Sequence, residues 1–469
     1  MKMIYQVNDR PKFGQMLVFA LQQLLAILAA TIAVPAAVNS NDAVKAMIEA
    51  GGAPMSQSAA LFGAGVGTIV YLLFTKFRSP VFLGSSFAFI GSMATAFAGA
   101  ASSMLLGYLG LIIGAVFAGL VYVLIAIIVK LVGVKWVNKV MPPVVIGPTV
   151  AIIGLSLAGN AVGDAVGVAK NANGAFDMTL ESSLKLICAI VTLLVVTLCS
   201  VYGKKMTKLI PFVIGIAAGY VVAAVLTVIG QNTGIEAMQI IDFSKFQSMQ
   251  WYPDFTFVEA FKGIDKINGS YLITIAVAYV PVAFVVFAEH IADHKNLSSI
   301  IEKDLLEDPG LDRTLLGDGV GSMVGAFFGG CPNTTYGESV GCVAITGNAS
   351  VVTILTTAIM AIVASFVAPF VTLLATIPSC VMGGVCISLY GFIAVSGLKM
   401  LQKVDLDKNN NLFVASVILI AGIGGMALQF GKVTVTSIAT ALILGIIFNV
   451  ILAKGKNTDG EEDIQDDVQ

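Results

Sequence analysis

Long apolar stretches, most of them close to twenty residues in length, recur along almost the whole of this 469-residue chain. A transmembrane helix needs about 20 largely apolar residues to cross the hydrocarbon core of a bilayer. The composition agrees with this interpretation, because 57% of the residues are hydrophobic and only 12% are charged, whereas about 25% of a soluble domain is charged. The sequence therefore predicts an all-α polytopic membrane protein and excludes a soluble globular fold.

Counting these stretches predicts fourteen membrane segments, some of them interrupted. The first seven are Met16–Val38, Ser58–Phe74, Val81–Ala100, Leu109–Val132, Pro142–Leu157, Ser182–Tyr202 and Leu209–Ile229. The second seven are Gly269–His290, Leu315–Phe328, Tyr336–Ile345, Ser350–Leu373, Cys380–Val395, Leu412–Leu428 and Val433–Leu452. A polar stretch over residues 231–268 separates the two sets.

The positions of Lys and Arg test this count, because cytoplasmic loops of membrane proteins carry an excess of positive charge. With the N-terminus in the cytoplasm, 19 of the 26 basic residues fall on the cytoplasmic side. The other seven are Lys45, Lys170, Lys185, Lys245, Lys262, Lys266 and Lys432. We therefore expect an even number of crossings with both termini in the cytoplasm.

Segments 3 and 10 are interrupted in the same way. The sequence SPVFLGSSFAFIG starts segment 3, and GGCPNTTYGESVG leads into segment 10. Each is the third segment of its set of seven, and because seven is odd the two sets would enter the membrane from opposite sides. Interrupted segments at matching positions of inverted repeats point to the binding site of a transporter. The alternative interpretation is two ordinary short helices.

Extended backbone survives in a membrane only where protein or a cavity satisfies its N–H and C=O groups. We therefore predict that residues 85–87 and 335–337 pair as two short antiparallel strands. The helices that follow would point their N-terminal N–H groups, and the positive ends of their dipoles, at the space between them.

Two glutamates lie at membrane depth, where an ionisable group is costly and usually functional. Glu289 ends segment 8 and Glu338 opens segment 10. Asp293 follows Glu289 by one helical turn, so the two carboxylates share a face if the helix continues. Two carboxylates so placed repel each other when both are charged, which suits proton exchange near neutral pH.

The two histidines are expected to lie in solvent. His290 and His294 are followed at once by Lys295 and a polar stretch, so Glu289 with His290 has the alternative interpretation of marking the cytoplasmic end of a helix. Residues 308–311, with the sequence DPGL, are expected to form a cytoplasmic turn.

A cavity that combines carboxylates with free backbone N–H groups accepts and donates hydrogen bonds together. A small planar molecule with ring N–H donors and carbonyl acceptors, such as a nucleobase, satisfies both, and Phe87 or Tyr336 would stack on its face. This chemistry fits uracil or xanthine, and it does not distinguish them from an amide metabolite.

Four stretches carry a more specific signal, namely EHIADHKNLSSIIEKDLLEDPGL, PNTTYGESVG, LGSSFAFIG and MGGVCISLYG. Together, and in the order in which they occur along the chain, they resemble the nucleobase–ascorbate transporter family and its bacterial uracil permease branch. The resemblance covers nearly the whole chain. It implies fourteen segments in two inverted repeats of seven, arranged as a core domain and a gate domain. It also implies uptake of a nucleobase, uracil first and xanthine or another purine as the alternative, coupled to a proton across a bacterial cytoplasmic membrane.

The implied division of the chain follows the segments. It gives core-domain residues 1–133 and 269–374, gate-domain residues 134–230 and 375–453, an extracytoplasmic loop over residues 231–268, and an acidic cytoplasmic tail over residues 454–469. The implied partners are a nucleobase, protons and membrane lipid, with no nucleic acid, metal or cofactor. The proton gradient would supply the energy, and a homodimer is one assembly that the prediction allows.

The resemblance also assigns roles to residues. Glu289 would match the substrate-binding acid of segment 8, and Glu338 the acid that opens the family signature in segment 10. Phe87 and Gly337 would offer backbone N–H groups to the carbonyls of the base, and Tyr390 would face the pocket from the gate side. The predicted substrate-binding residues are thus Glu289, Glu338, Phe87, Gly337, Ser86, Tyr336 and Tyr390, and the predicted proton-coupling residues are Glu338, Asp293 and His294.

Three positions depart from the pattern of the family. Ser339 replaces the Asn of the segment 10 signature, and Gln23 stands where segment 1 usually has a His. Asp293 stands where many uracil permeases have a histidine one turn after the acid of segment 8, and here His294 follows it.

Other classes of function fit less well. An anion transporter of the same architecture would bind its ligand through helix N-termini alone, and two acids in the pocket would repel it. A membrane enzyme needs paired metal-binding motifs or a nucleophile with its base, and neither is found, so no enzymatic activity is expected. Spacing alone does not exclude an ion channel, but no ring of identical pore residues is evident.

Overall fold

The computed structural model describes residues 3–100, 103–133, 136, 141–171, 173–204, 206–430 and 433–454. Over these residues the chain is mainly α-helical, with two small antiparallel sheets of two strands each. The predicted acidic tail lies outside the described residues from position 455 onward.

The first half of the chain contains ten helices in its described part and one strand. They are α1 (Phe13–Asn39), α2 (Asp42–Glu49), α3 (Gln57–Phe74), β1 (Leu83–Ser85), α4 (Ile90–Ala98), α5 (Met104–Val132), α6 (Pro143–Ser156), α7 (Ala158–Val166), α8 (Leu180–Tyr202), α9 (Met206–Leu209) and α10 (Pro211–Thr233). A 3₁₀ turn, Phe87–Phe89, joins β1 to α4.

The second half begins with a loop that contains the short helix α11 (Thr256–Phe261). It continues with α12 (Gly269–Ile301), α13 (Leu311–Gly329), β2 (Asn333–Thr335), α14 (Gly337–Thr346), α15 (Val351–Ala364), α16 (Ala368–Ala375), α17 (Ser379–Leu401), α18 (Asn409–Ile423), β3 (Leu428–Phe430), β4 (Val433–Val435) and α19 (Ser437–Lys454). The predicted DPGL turn lies in the break between α12 and α13.

Within the described residues, eight helices are long and apolar enough to cross a membrane, or nine spans if α15 and α16 count as one bent span. These helices coincide with the apolar stretches of the sequence, so the prediction of a multi-pass helical membrane protein is confirmed. The total of fourteen crossings, the inverted repeats and the division into core and gate domains stay predictions.

Several predicted segment boundaries are wrong. The helix of segment 12, α17, continues past Val395 to Leu401, α18 ends at Ile423 rather than Leu428, and α19 begins at Ser437 rather than Val433, because β3 and β4 lie between these two helices. Segment 8 does not end at His290, because α12 continues to Ile301 and buries His294, Leu297 and Ile301 on its inner face. Segment 11 is not one straight helix, because α15 and α16 meet at an angle of 81°. Pro369 stands in the first turn of α16, where its missing N–H group breaks a continuous helix but suits a new start.

The paired strands of segments 3 and 10 are present, two residues earlier than predicted. Leu83 lies opposite Thr335, and Ser85 opposite Asn333. The pairing extends by one further bond, from the Ser86 N–H group to the carbonyl oxygen of Pro332 at 2.9 Å. The strands therefore end where the 3₁₀ turn at Phe87 and the helix at Gly337 begin.

Further hydrogen bonds join the strands to α3 and satisfy buried polar groups that the strand pairing does not. The Leu83 N–H group donates to Thr68 Oγ1 of α3 at 2.9 Å. The Asn333 side chain donates from Nδ2 to the carbonyl oxygen of Gly63, also in α3, at 3.1 Å. An unpaired polar group at this depth costs several kcal/mol, so α3 fixes the position of both strands.

Close packing around the strands requires glycine at particular positions. A Cβ atom on Gly84 would overlap the ring of Tyr336, which crosses the strand there. A Cβ atom on Gly67 of α3 would lie 2.8 Å from the carbonyl oxygen of Gly321 in α13. Small residues allow helices to approach closely in membranes, and here they bring α3 and α13 together behind the strands.

Helix α14 is short and is held at both ends. β2 precedes it directly, and at its other end Gly347 takes the left-handed conformation (φ 66°) that terminates a helix. The carbonyl oxygen of Gly347 accepts a hydrogen bond from the Ile4 N–H group at 2.7 Å. The N-terminal segment of the chain therefore anchors the helix that carries Glu338.

Candidate functional site

A cavity of about 460 Å³ lies beside the paired strands. Its polar wall is formed by α12, by residues 334–338 and by Phe87. The facing wall is mostly apolar, and its residues include Val150, Leu209, Pro211, Phe212, Leu389, Phe392 and Ile393. The predicted core segments thus supply the polar wall, and the predicted gate segments supply the apolar wall.

Three carboxylates line this cavity. Glu289 and Asp293 come from successive turns of α12, and Glu338 comes from the first turn of α14. The prediction that the first two share a helical face is confirmed, because α12 is continuous over both positions and both side chains line the cavity. Thr335 at the end of β2 donates from Oγ1 to Asp293 Oδ2 at 2.8 Å, which fixes that carboxylate beside the strand.

The start of α14 forms a hydrogen-bond donor facing the carboxylates. The first N–H groups of a helix have no partner within the helix and carry the positive end of its dipole. Gly337 is exposed to the cavity, and the nearest heavy atom to a Cβ built on it is Asp293 Oδ1 at 4.0 Å. Donors and acceptors therefore face each other across an open space.

The predicted aromatic residues take different positions. Phe87 and Tyr336 line the cavity, but the Tyr336 hydroxyl donates to the carbonyl oxygen of Ser85 at 2.7 Å. Tyr336 is therefore fixed across the strands rather than free to stack on a ligand. Tyr390 is 2% exposed and meets the Phe87 ring edge to face, with ring centroids 5.8 Å apart. It lies behind Phe87 and does not line the cavity.

Ser86 also lies outside the cavity lining. Its side chain is completely buried, and its hydroxyl has no hydrogen-bond partner within the part of the chain that the structure describes. Its backbone N–H group is used in the strand pairing. The roles of Ser86 and Tyr390 in substrate binding stay predictions.

The expected solvent exposure of both histidines is wrong. His290 and His294 are completely buried, because α12 continues beyond them and packs against α5, while their rings contact Asp318 of α13 and Tyr71 of α3. His294 was predicted to help in proton coupling, but it lies outside the lining of the cavity. The exposed side chain of Lys295 belongs to a different face of the same helix.

One buried acid is not among the predicted site residues. Asp318 of α13 is 1% exposed and accepts a hydrogen bond from, or donates one to, His290 Nδ1 at 2.7 Å. An acid within an apolar helix is itself a functional signal. Asp318 stands between two glycines, in the sequence GDGVG, without a second acid or a histidine close to it in the sequence.

Two departures from the family pattern contact each other. Gln23 of α1 donates from Nε2 to Ser339 Oγ at 2.6 Å, and both side chains are buried. The same oxygen accepts the Phe82 N–H group at 3.1 Å. Ser339 therefore connects α14 to α1 and to the residue before β1.

The comparisons with known proteins agree with this architecture. A model of the Permease family, Xan_ur_permease, matches residues 14–431. The chain belongs to this family, the nucleobase–ascorbate transporters. Members of the family are permeases, which are transporters rather than enzymes.

Curated relatives of this permease match over nearly their full length. The uracil permease of Bacillus caldolyticus is 38% identical, covering 96% of this chain and 95% of the relative. The uracil permease of Bacillus subtilis (strain 168) is 38% identical over 97% and 96% of the two chains. The uracil permease of Escherichia coli (strain K12) is 35% identical over 95% and 93%.

Solved structures share the fold of the permease at low sequence identity. The transmembrane domain of a cyanobacterium bicarbonate transporter, BicA, has a TM-score of 0.59 and 16% identity, covering 95% of this chain and 100% of that one. Murine Slc26a9, an anion transporter in the inward-facing state, has a TM-score of 0.61 and 13% identity, with coverage of 98% and 72%.

We expect the substitution Ser339→Ala to lower the melting temperature of the purified permease in detergent. It leaves the buried Gln23 amide and the Phe82 N–H group without an acceptor, at about 1–3 kcal/mol for each group. The double variant Gln23→Leu, Ser339→Ala removes one of these two groups and should recover part of the loss.

Ser365→Ala is the matched control, because the buried Ser365 hydroxyl only donates to a carbonyl of its own helix, Ile362 O at 2.6 Å. Equal melting temperatures for Ser339→Ala and Ser365→Ala would show that the contact between α1 and α14 contributes nothing to stability.

Proposed function

We propose that this permease is a proton-coupled symporter that imports uracil across the bacterial cytoplasmic membrane by alternating access. The observation that carries the proposal is the cavity in which Glu289, Asp293 and Glu338 face the free N-terminus of α14. Uracil permeases at 35–38% identity over nearly the whole chain support the choice of substrate.

Uracil matches the two sides of this cavity. Its ring N–H groups donate to the Glu289 and Glu338 carboxylates, and its carbonyl oxygens accept from backbone N–H groups at Gly337 and Phe87. Phe87 forms part of the wall against which the planar ring packs. Each polar edge of the base then has a partner, which a buried polar ligand requires.

The carboxylates also account for proton coupling. Three like charges around one cavity repel one another, and no Lys or Arg nitrogen lies within 4.0 Å of these carboxylates among the described residues. Binding of one proton removes one of the charges and allows a carboxyl group to donate as well as accept a hydrogen bond. Glu338 carries this proton in the proposal, and Asp293 takes part through its position facing Gly337.

The two cavities on either side of Phe87 suggest how access alternates. The main cavity extends from Phe87 to Lys208 and Met400, at the end of the molecule that the charge distribution assigns to the cytoplasm. A second cavity of about 240 Å³, lined by Phe87, Asn41 and Asn160, lies on the other side. The contact between Phe87 and Tyr390 separates them, so the structure corresponds to an inward-facing state in this proposal.

The cavity carboxylates and hydrogen-bonding groups also bear on the alternative substrates, an anion and xanthine. A bicarbonate or other anion would meet three carboxylates in the cavity, and like charges within one buried cavity repel each other strongly. The likeness to anion transporters concerns the fold alone. Xanthine has a similar hydrogen-bonding edge and a second ring, so competition experiments decide between it and uracil.

We expect proteoliposomes containing the permease to accumulate labelled uracil when the outside is acidified, because inward proton flow drives symport. A protonophore should abolish accumulation, unlabelled uracil should compete, and xanthine and adenine should compete weakly. Absence of uptake, or uptake that ignores the protonophore, contradicts the proposal.

Replacement of the acid that opens α14 tests the coupling. Glu338→Gln should abolish proton-driven accumulation, because the amide cannot exchange a proton at this position. Glu49→Gln, at an exposed position outside the cavity, serves as the control and should transport like the unmodified protein. Normal proton-driven uptake by Glu338→Gln would rule out its assignment as proton carrier.

A single added methyl group tests the position of the ligand. Gly337→Ala places a Cβ atom in open space, 4.0 Å from Asp293 Oδ1, so the protein should fold while uracil loses room. We expect uracil binding to weaken about tenfold, or about 1.4 kcal/mol, by isothermal titration calorimetry. Gly391→Ala, whose Cβ also meets no neighbour but lies outside the cavity lining, should bind uracil normally; equal affinities would place the ligand elsewhere.

A further inference from the structure

The only two histidines of the chain lie together in the protein interior. His290 and His294 are completely buried, and their rings stack with centroids 4.0 Å apart. They occupy the face of α12 next to the one that carries Glu289 and Asp293. The same helix therefore presents acids to the cavity and histidines to the packed interior.

His290 makes one contact with an acid. Its Nδ1 atom lies 2.7 Å from Asp318 Oδ2 in α13. The other carboxylate oxygen of Asp318 has no hydrogen-bond partner in the described part of the chain, and no Lys or Arg nitrogen of the described residues lies within 4.0 Å of it. Among the described residues, His290 is thus the only group within contact distance that can share a proton with this carboxylate.

The second ring nitrogen of His290 contacts a group that can act as donor or acceptor. Its Nε2 atom lies 3.0 Å from Thr314 Oγ1, and Thr314 Oγ1 also lies 3.1 Å from the carbonyl oxygen of Leu311. If Nε2 carries a hydrogen, it donates to Thr314, whose hydroxyl then donates to Leu311. If Nε2 has none, the Thr314 hydroxyl rotates and donates to it.

This arrangement fits two states that differ by one proton. With Nε2 protonated, one further proton lies between Nδ1 and Oδ2, and the pair of side chains is neutral overall. With Nε2 bare, the Nδ1–H group donates to the carboxylate and the pair carries one negative charge. The contacts of His290 with Asp318 and with Thr314 stay hydrogen bonds in both states. The change needs only rotation of the Thr314 hydroxyl, which gives up its hydrogen bond to the Leu311 carbonyl oxygen.

We propose that His290 and Asp318 form a second proton-binding site, separate from the carboxylates of the substrate cavity, that takes up and releases a proton during the transport cycle. Existence of the site rests on the contacts above, and its role in the cycle rests on the proposed symport function. An isolated buried carboxylate is too costly to persist without a proton or a charged partner, which gives the pair its affinity for the proton.

The groups around the pair also constrain it. Tyr122 of α5 meets the His290 ring edge to face at 6.4 Å, and Tyr71 of α3 contacts His294 Nε2 at 2.7 Å. On α12 itself, Glu289 and Asp293 face the cavity. Ionised carboxylates in the cavity repel the negative charge that the pair carries after it releases its proton. Protonation of a cavity carboxylate therefore changes the proton affinity of the pair, and protonation of the pair changes that of the carboxylate.

A row of hydrogen bonds leads away from the second histidine. His294 Nδ1 donates to the carbonyl oxygen of His290 at 2.8 Å, and the Tyr71 hydroxyl oxygen lies 2.7 Å from both His294 Nε2 and Ser79 Oγ. Ser79 is buried, and the next residue toward the N-terminus, Arg78, is exposed. The row thus extends from the backbone carbonyl of His290, beside the pair, toward the surface loop before β1.

Nitrogen-15 NMR of the full-length permease in lipid nanodiscs, labelled at the histidine rings, tests the site directly. With two histidines in the chain, His294→Gln assigns all ring resonances. We expect the chemical shifts of the His290 ring nitrogens to change with pH within about pH 4–9, where imidazoles and buried carboxylates titrate. This change should disappear in Asp318→Asn. His290 resonances that do not move, or that move alike in Asp318→Asn, overturn the proposal.

The role in transport needs a second measurement on the same proteins. Asp318→Asn should lower proton-driven uracil accumulation at least tenfold relative to uracil exchange without a gradient, while Asp312→Asn in the same helix should leave the ratio unchanged. An unchanged ratio in Asp318→Asn overturns the role of the pair in the cycle. Because the NMR titration needs no substrate, failure of uracil uptake by the unmodified protein would refute the transport proposal and leave the test of the site intact.

Discussion

The architecture around the cavity depends on satisfying backbone hydrogen bonds away from helices at membrane depth. Each unpaired N–H or C=O group there costs several kcal/mol, and β1 and β2 meet this requirement by pairing with each other. Thr68, Ser339 and Asn333 supply further bonds to neighbouring backbone, from α3, α14 and β2 itself. The strands are therefore fixed, and the helix start at Gly337 is fixed with them.

Helix α12 connects the two groups of titratable residues. Glu289 and Asp293 lie on its cavity face, and His290 and His294 lie one position further along on the buried face. A change of charge on one face alters the electrostatic potential on the other, because only a single helix diameter and little water separate them. In the proposed mechanism this short separation links substrate binding in the cavity to proton binding behind it.

Much of the site follows from local sequence. The interruptions at GSSFAF and PNTTYGES predicted paired strands and two helix starts, and the structure contains them with a shift of two residues. The shift arises because Ser86 and Tyr336 serve as the residues just before the helical turns. Helical spacing also predicted that Glu289 and Asp293 share a face, and the resemblance to the family implied that Glu289 and Glu338 meet in one site; all three line the cavity.

Other features were not visible in the same way. Burial of His290 and His294 depends on the continuation of α12 and on contacts of their rings with side chains of α3 and α13, and the neighbouring Lys295 gave the opposite indication. The break before Pro369 was hidden inside an apolar run whose composition fits a single span.

By itself, the sequence determined the membrane-spanning character, the family and the acids of the cavity, because apolar length, motif order and helical periodicity are properties of short stretches of chain. Only the tertiary structure decided that Gln23 meets Ser339 and that His290 meets Asp318. These partners are far apart in sequence or on different helices, and no local pattern specifies which helix faces pack together. Through this packing, Gln23 and Ser339, which both depart from the family pattern, contact each other. His290, which was expected to lie in solvent, forms a buried pair with Asp318.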